Sequence, residues 1–459
     1  MSGAAQPKLG LKGMLGFTVG DFAFNLYWQS VSLYLLFFYT DVVGLRAGVA
    51  GLIYMIASIF DAVIDPLMGA IADRTRTRWG RYRPYILFGT PFVGIAFLLL
   101  YYRPPLEGAG LAAWMLAAHI IFRIAYTVVS IPFTAMSARL TSNSAERGSM
   151  AGLRIIFATL AGLTVAISTQ PLAAHLGGGD PATGFFAAAA IFAAIASLVL
   201  PIVFFATREP AETEEDCAPA NLAEYWSALR DNRALWALLA GVCAGVVCST
   251  ALGKSILYYF KYNLGNEDGG RIALSIVAAS GPLIVPVWMA ISRWIGKRNT
   301  WFAAIAWGLV GLLWFSLTDV RSNGMAIAFF LWMQVTGLGL ALGFWSILPD
   351  TVEYGEWRTG RRTESFVFGL GQFFLKVALG LGAGLFGWLL DQIGYRANTV
   401  QTPETLAHMK ILMTALPALG LTLAGVAMVF YPLRGGRHAE IVEELANRRR
   451  LPAEADGQA

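Results

Sequence analysis

Two carboxylates four residues apart on an apolar stretch are the part of this chain most suited to chemistry. Asp61 and Asp65 lie in Asp61-Ala-Val-Ile-Asp65-Pro66, inside an apolar run that begins near Val49, so on a helix both project from one face. Buried in a membrane segment, a pair of acids is costly and marks an ion or proton path. The run from Asp73 to Arg83, with Arg74, Arg78 and Arg81, follows at once and fixes that end of the helix on the cytoplasmic side. A second constellation runs through Arg123, Thr127 and Ser130, spaced i, i+4 and i+7 on one helical face. An arginine at mid-span needs a partner, and the acids at 61 and 65 are the candidates; snorkelling to an interface is the alternative.

The elements that must position these residues follow from composition. The chain has 459 residues, 56% hydrophobic and 14% charged, with mean hydropathy +0.58. Charge lies far below the roughly 25% of soluble domains, and apolar runs of about 20 residues recur throughout. The expected fold class is an all-α integral membrane protein with twelve transmembrane helices in two six-helix bundles. The spans are expected at 14–40, 48–72, 84–102, 110–138, 150–171, 185–206, 235–260, 271–294, 300–318, 324–349, 365–390 and 409–431. Net charge +5 and pI 9.1 reflect membrane orientation rather than nucleic-acid binding, because arginines cluster after even-numbered spans. Both termini are therefore expected in the cytoplasm, in a cell (inner) membrane. Lys8 and Lys12 precede a long first span that reads as a retained anchor rather than a cleaved leader. The three cysteines, Cys217, Cys243 and Cys248, show neither disulfide nor zinc spacing.

The division expected is 1–206 and 234–431 for the bundles, 207–233 for an acidic cytoplasmic linker with a short helix around Leu222 to Leu229, and 432–459 for a cytoplasmic tail. The halves resemble each other. Tyr34 to Gly44 at the end of helix 1 parallels Leu257 to Gly265 at the end of helix 7, and Pro66 to Arg74 parallels Pro286 to Arg293. Duplication of a six-helix unit accounts for both matches.

Five blocks carry a family resemblance: Gly20-Asp-Phe22, Tyr39 to Leu45, Asp61 to Pro66 with Gly69 and the basic run, Tyr126 to Phe133, and Pro349 to Gly360. On these the chain resembles the glycoside-pentoside-hexuronide:cation symporters, the major facilitator group that includes the melibiose permease. The resemblance implies cation coupling at Asp61, Asp65 and Thr127, and sugar contacts by Asp21 and Arg154, with Lys376 in the cavity. Ile64 stands where the family supplies an Asn ligand, so protons are favoured over sodium and no metal or other cofactor is expected. A poorly liganded buried carboxylate has its proton affinity raised. Arg123 joins the coupling set, either competing with a proton or forming a permanent pair in an uncoupled facilitator.

Ser130 replaces the family's second sugar-binding acid. Arg154, Lys254 and Lys376 together present three cations, which would suit an anionic sugar; the alternatives are a neutral glycoside or pentoside, a non-sugar solute, or pairing of each cation with a protein acid such as Asp21. Tyr126 is expected to stack on the sugar, with Tyr27, Trp28, Trp345 and Phe373 as further aromatic candidates. Asp73, Arg74 and Arg78 on one side, and Asp350, Glu353 and Arg358 on the other, are expected to form gating salt bridges between the halves. The function expected is import of a glycoside, pentoside or hexuronide by alternating access, by a monomer in the lipid bilayer. An Asp-x-x-x-Asp helix also occurs in membrane enzymes that hold magnesium against a diphosphate. Those need a second acid-rich helix, which no other span supplies.

Overall fold

In the computed structural model, residues 10–140, 144–209, 230–360, 364–434 and 437–456 are described. The cysteine at 217 and the expected linker helix at 222–229 lie outside them. Among the described residues there are thirteen α-helices and no strand. They are α1 (Gly10–Phe37), α2 (Ala47–Arg74), α3 (Arg83–Tyr101), α4 (Gly108–Arg139), α5 (Ser144–Leu176), α6 (Pro181–Ala206), α7 (Arg233–Tyr258), α8 (Glu267–Ile295), α9 (Lys297–Leu317), α10 (Asn323–Thr359), α11 (Glu364–Gln392), α12 (Pro403–Val429) and the tail helix α13 (Arg437–Asp456). Eleven, α2 to α12, are long and apolar enough to cross a membrane. The expectation was twelve; α1 is 28 residues long but falls short on hydropathy because Asp21, Asn25 and Gln29 interrupt it.

Helix starts follow capping chemistry. The Asp180 carboxylate accepts from the backbone N–H of Ala182 and Thr183, with Pro181 at the first helical position of α6. Asn232, Asn266, Ser322 and Thr402 cap α7, α8, α10 and α12 in the same way.

One element runs longer than expected. The block from Pro349 to Thr359, read from its charges as a loop, continues α10 as helix. Asn232 donates to the Thr351 carbonyl at 2.8 Å, and Gly355 has no side chain to obstruct it: a Cβ there would sit 2.8 Å from the Asn232 amide nitrogen. On its other side the extension packs against α13, where Trp357 Nε1 donates to Glu444 at 2.6 Å.

The packing repeats with a period of six helices. Helix α1 packs on α5 and α6, as α3 does on α4 and α6; α7 packs on α11 and α12, as α9 does on α10 and α12. Likewise α2 with α4 is matched by α8 with α10. Across the two sets, α2 packs on α11 and α5 on α8, which are the same contact seen from each side of a pseudo-two-fold axis. Helices α1 and α7 both finish in a five-residue π turn, Phe38–Val42 and Tyr259–Asn263. Each turn is followed by a left-handed glycine, Gly44 at φ 87° and Gly265 at φ 64°.

The α2/α11 crossing is backbone on backbone. A Cβ on Gly51 would lie 2.9 Å from the Gly384 carbonyl oxygen, and one on Gly387 would lie 2.4 Å from that of Ala47. Small residues permit such approaches between membrane helices.

Candidate functional site

Helices α2, α4 and α11 meet at the paired acids. Asp61 is 1% exposed and accepts from three groups: the Thr127 hydroxyl at 2.8 Å, Arg123 Nη1 at 3.3 Å and Lys376 Nζ at 2.9 Å. Asp65, one turn along and 16% exposed, accepts from Thr127 at 3.1 Å and pairs closely with Lys376. Thr127 has a single hydroxyl proton, so it serves one carboxylate at a time. Arg123, 3% exposed, is fixed on its other edges by His119 Nε2, at 3.3 Å from Arg123 Nε, and by Ser58 Oγ at 3.5 Å, with its guanidinium over the Trp28 ring. It therefore does not snorkel to an interface; it pairs with Asp61.

The cations divide differently from expectation. Arg154 Nε pairs with Asp21 at 2.9 Å, between α5 and α1. Lys376 is held by Asp61 and Asp65. Only Lys254 is without an acid among the described residues: its Nζ donates to the Ser32 carbonyl and sits 4.3 Å from the centre of the Tyr54 ring. The expected trio of Arg154, Lys254 and Lys376 is thus corrected. One small cavity is lined by Lys254, Lys376 and Arg123, because Arg154, on α5, is drawn off by Asp21.

Tyr126 lies edge-on to Phe24 at 5.7 Å between centroids and beside Trp28 at 6.1 Å, so that pair of rings borders Arg123. Ser130 is half-buried on the same helix. Tyr27 is wholly buried against Phe97 and Phe122 and belongs to the core. Trp345 is exposed, and Phe373 packs edge-on against Phe374.

In this arrangement the two gating acids of the second half are engaged within that half. Asp350 pairs with Lys297 at 2.7 Å and approaches His438 at 3.6 Å, and Glu353 contacts His438 at 2.5 Å. Both acids therefore bind within the second helix set and its tail. Arg74 and Arg358 are exposed, Arg78 lies over Trp79, and the Asp73 side chain is outside the described residues.

Ion pairs joining the two sets occur at the opposite end. Arg46 binds Asp391 at 2.7 Å, and Asp41 is the centre of a larger network. Its carboxylate, 1% exposed, accepts from Thr40 at 2.7 Å, Lys261 at 2.9 Å, Tyr395 at 2.7 Å and, at closer range, Tyr262. Asn398 Nδ2 donates to the Asp41 backbone oxygen at 2.6 Å. Asp41 falls inside one of the sequence blocks without a role; apart from Thr40 beside it, its partners stand on the turn that ends α7 and on the connection after α11, so no local spacing reveals them.

Pairwise-packed membrane-length helices, a repeat of six, and buried ion pairs where the halves meet define a secondary transporter of the major facilitator class. The chain belongs to the family described as MFS/sugar transport protein, which it matches over residues 16–435. It is 32% identical over 427 residues to the isoprimeverose transporter of Lactiplantibacillus pentosus, covering 90% of this chain and 87% of that one. It is 30% identical over 453 residues to a glucuronide carrier protein homolog of Escherichia coli, covering 97% of each. In fold it is similar to a bacterial homolog of the human lysosomal transporter Spinster, solved inward-facing and unoccupied, with TM-score 0.67 at 13% identity over 93% of this chain and 97% of that one. It is a multi-pass membrane protein and a transporter rather than an enzyme.

Proposed function

We propose that the chain carries a sugar or glycoside by alternating access, in symport with protons, as twelve spans with both termini in the cytoplasm. The observation that carries the coupling is the full set of donors on Asp61 and Asp65. Thr127 and Arg123 from α4 and Lys376 from α11 occupy the carboxylate oxygens, and a sodium ion would have to displace cations already in place. A proton needs no such displacement.

The two acids take different parts. Asp61 and Arg123, both almost wholly buried, form the fixed pair, whereas the more exposed Asp65 is the group that exchanges its proton. Protonating Asp65 loosens Lys376, which stands on α11, so proton loading acts on a bridge between the two helix sets. Substrate and proton affinities must then rise together. The substrate enters between Asp21 with Arg154 and the Tyr126–Trp28 rings. The Asp41 network closes the far end, and with the arginine-rich loops inside this arrangement is inward-facing. Relatives named for isoprimeverose and for glucuronides support a sugar cargo, neutral or acidic.

The test is uptake of labelled glucuronide and of labelled isoprimeverose by proteoliposomes at fixed sodium, with and without an imposed proton gradient. Accumulation driven by the gradient is expected, and Asp65→Asn should abolish it while sparing exchange. Accumulation that survives Asp65→Asn, or that follows sodium instead, overturns the proposal.

A further inference from the structure

Between α1, α2, α4, α7 and α11, on the Asp41 side of Asp61, lies a small cavity of about 70 Å³. Three cationic side chains, Arg123, Lys254 and Lys376, line it. Around it stand two carboxylates, Asp61 and Asp65, both already engaged by Thr127 and Lys376. One positive charge is left over, and it sits on Lys254. Lys254 is 7% exposed, has no carboxylate in reach among the described residues, and is held by the Ser32 carbonyl oxygen and by the ring and hydroxyl of Tyr54, all of them uncharged partners.

An ammonium buried without a counter-charge is costly, and more so at membrane depth. The cavity has room for a few water-sized groups and not for a sugar ring. Hydroxyls of Ser58 and Thr250 on its wall add neutral donors. We propose that this cavity binds one small anionic group, with Lys254 as its principal counter-charge and Arg123 and Lys376 as its flanks. The same chemistry has two sources: a free halide, or the acid group of an anionic substrate whose ring lies outside the cavity, toward Tyr126. The second source rests on the sugar-transport reading above; the first does not.

The cavity is lined from both helix sets, with Ser32, Tyr54 and Arg123 from the first and Thr250, Lys254 and Lys376 from the second. A bound anion therefore ties the sets together on the Asp41 side.

The experiment is thermal unfolding of the purified full chain in detergent, in potassium sulfate at fixed ionic strength, titrated with potassium chloride or potassium glucuronate. Wild type should show a saturable rise in Tm of roughly 3 °C. Lys254→Met should lose it, and Lys254→Arg, which keeps the charge, should retain it. A rise with chloride alone identifies a free halide, and a rise with glucuronate alone identifies the substrate's acid group. Rises with both that compete identify one shared site. A flat response in wild type, or an equal rise in Lys254→Met, overturns the proposal. That failure is separable from failure of the transport reading, because a carrier of neutral sugars would be flat here and still accumulate isoprimeverose under a proton gradient.

Discussion

Arg123 is the residue whose removal and whose isolation should differ most. Asp61→Ala leaves its guanidinium buried beside neutral His119 and Ser58, and breaking one side of a buried pair costs about 3–5 kcal/mol. Asp61→Leu with Arg123→Leu removes both charges, and replacing a whole buried pair by apolar residues is close to neutral. The expected result is a large fall in Tm for the single variant and recovery in the double one, read by thermal unfolding of purified protein. Equal falls in both would show that the pair contributes nothing beyond packing. The grouping of Asp61, Asp65, Thr127 and Arg123 was legible in the sequence because each pair shares a helix and helical spacing fixes its face. The partners of Lys376 and Asp41 were not, because tertiary packing decides which helix faces which. For Arg154 the sequence offers both a free cation for substrate and a pair with an acid such as Asp21, and the α1/α5 contact decides for the pair.

At the level of elements, the crossing of α2 and α11 is the narrowest contact between the two sets. Gly387→Val would put a branched side chain where even a Cβ falls 2.4 Å from the Ala47 carbonyl oxygen. Backbone cannot give way as a flexible side chain does, so this end should be forced apart. Labelling of a cysteine introduced at Arg46 by a membrane-impermeant thiol reagent should become several-fold faster, and unchanged labelling would count against the crossing as the closing contact. Helix starts were read from apolar runs alone, so the spans expected from 185, 271 and 409 begin earlier, at 181, 267 and 403, where Asp180, Asn266 and Thr402 cap them. The extension of α10 beyond Pro349 was not legible, since its charges imitate a loop. What makes it helical is its cover, Asn232 on one side and α13 on the other. Truncation before Arg437 uncovers the surface now buried by Ile441 and Leu445 and removes His438 from Glu353 and Asp350. The truncated chain should melt earlier and its α10 extension should exchange amide hydrogens faster.

Across the whole molecule, the expected duplication is visible as packing: each contact named above recurs six helices on, and the interface between the sets joins α2 to α11 as it joins α8 to α5. The Asp41 network holds one end of that interface. Single surface ion pairs contribute about 0–1 kcal/mol, but a buried carboxylate with four side-chain donors is a network and survives the loss of any one. Lys261→Met should therefore shift the balance little, whereas Asp41→Ala removes the common acceptor. Spin labels at Arg103 and Arg321 should report a longer distance in Asp41→Ala, and an unchanged distribution would remove Asp41 from the gate. The leftover charge on Lys254 has an electrical consequence. With two carboxylates and three cations around it, the empty site is positive by one, and a bound monoanion makes it neutral. Each charge crossing the full membrane field is worth about 2.3 kcal/mol per 100 mV. A cell negative inside would thus oppose the empty carrier's return, while the carrier loaded with a monoanion and a proton on Asp65 is again positive by one and is drawn inward, so that membrane potential favours the loaded half of the cycle and slows the unloaded half.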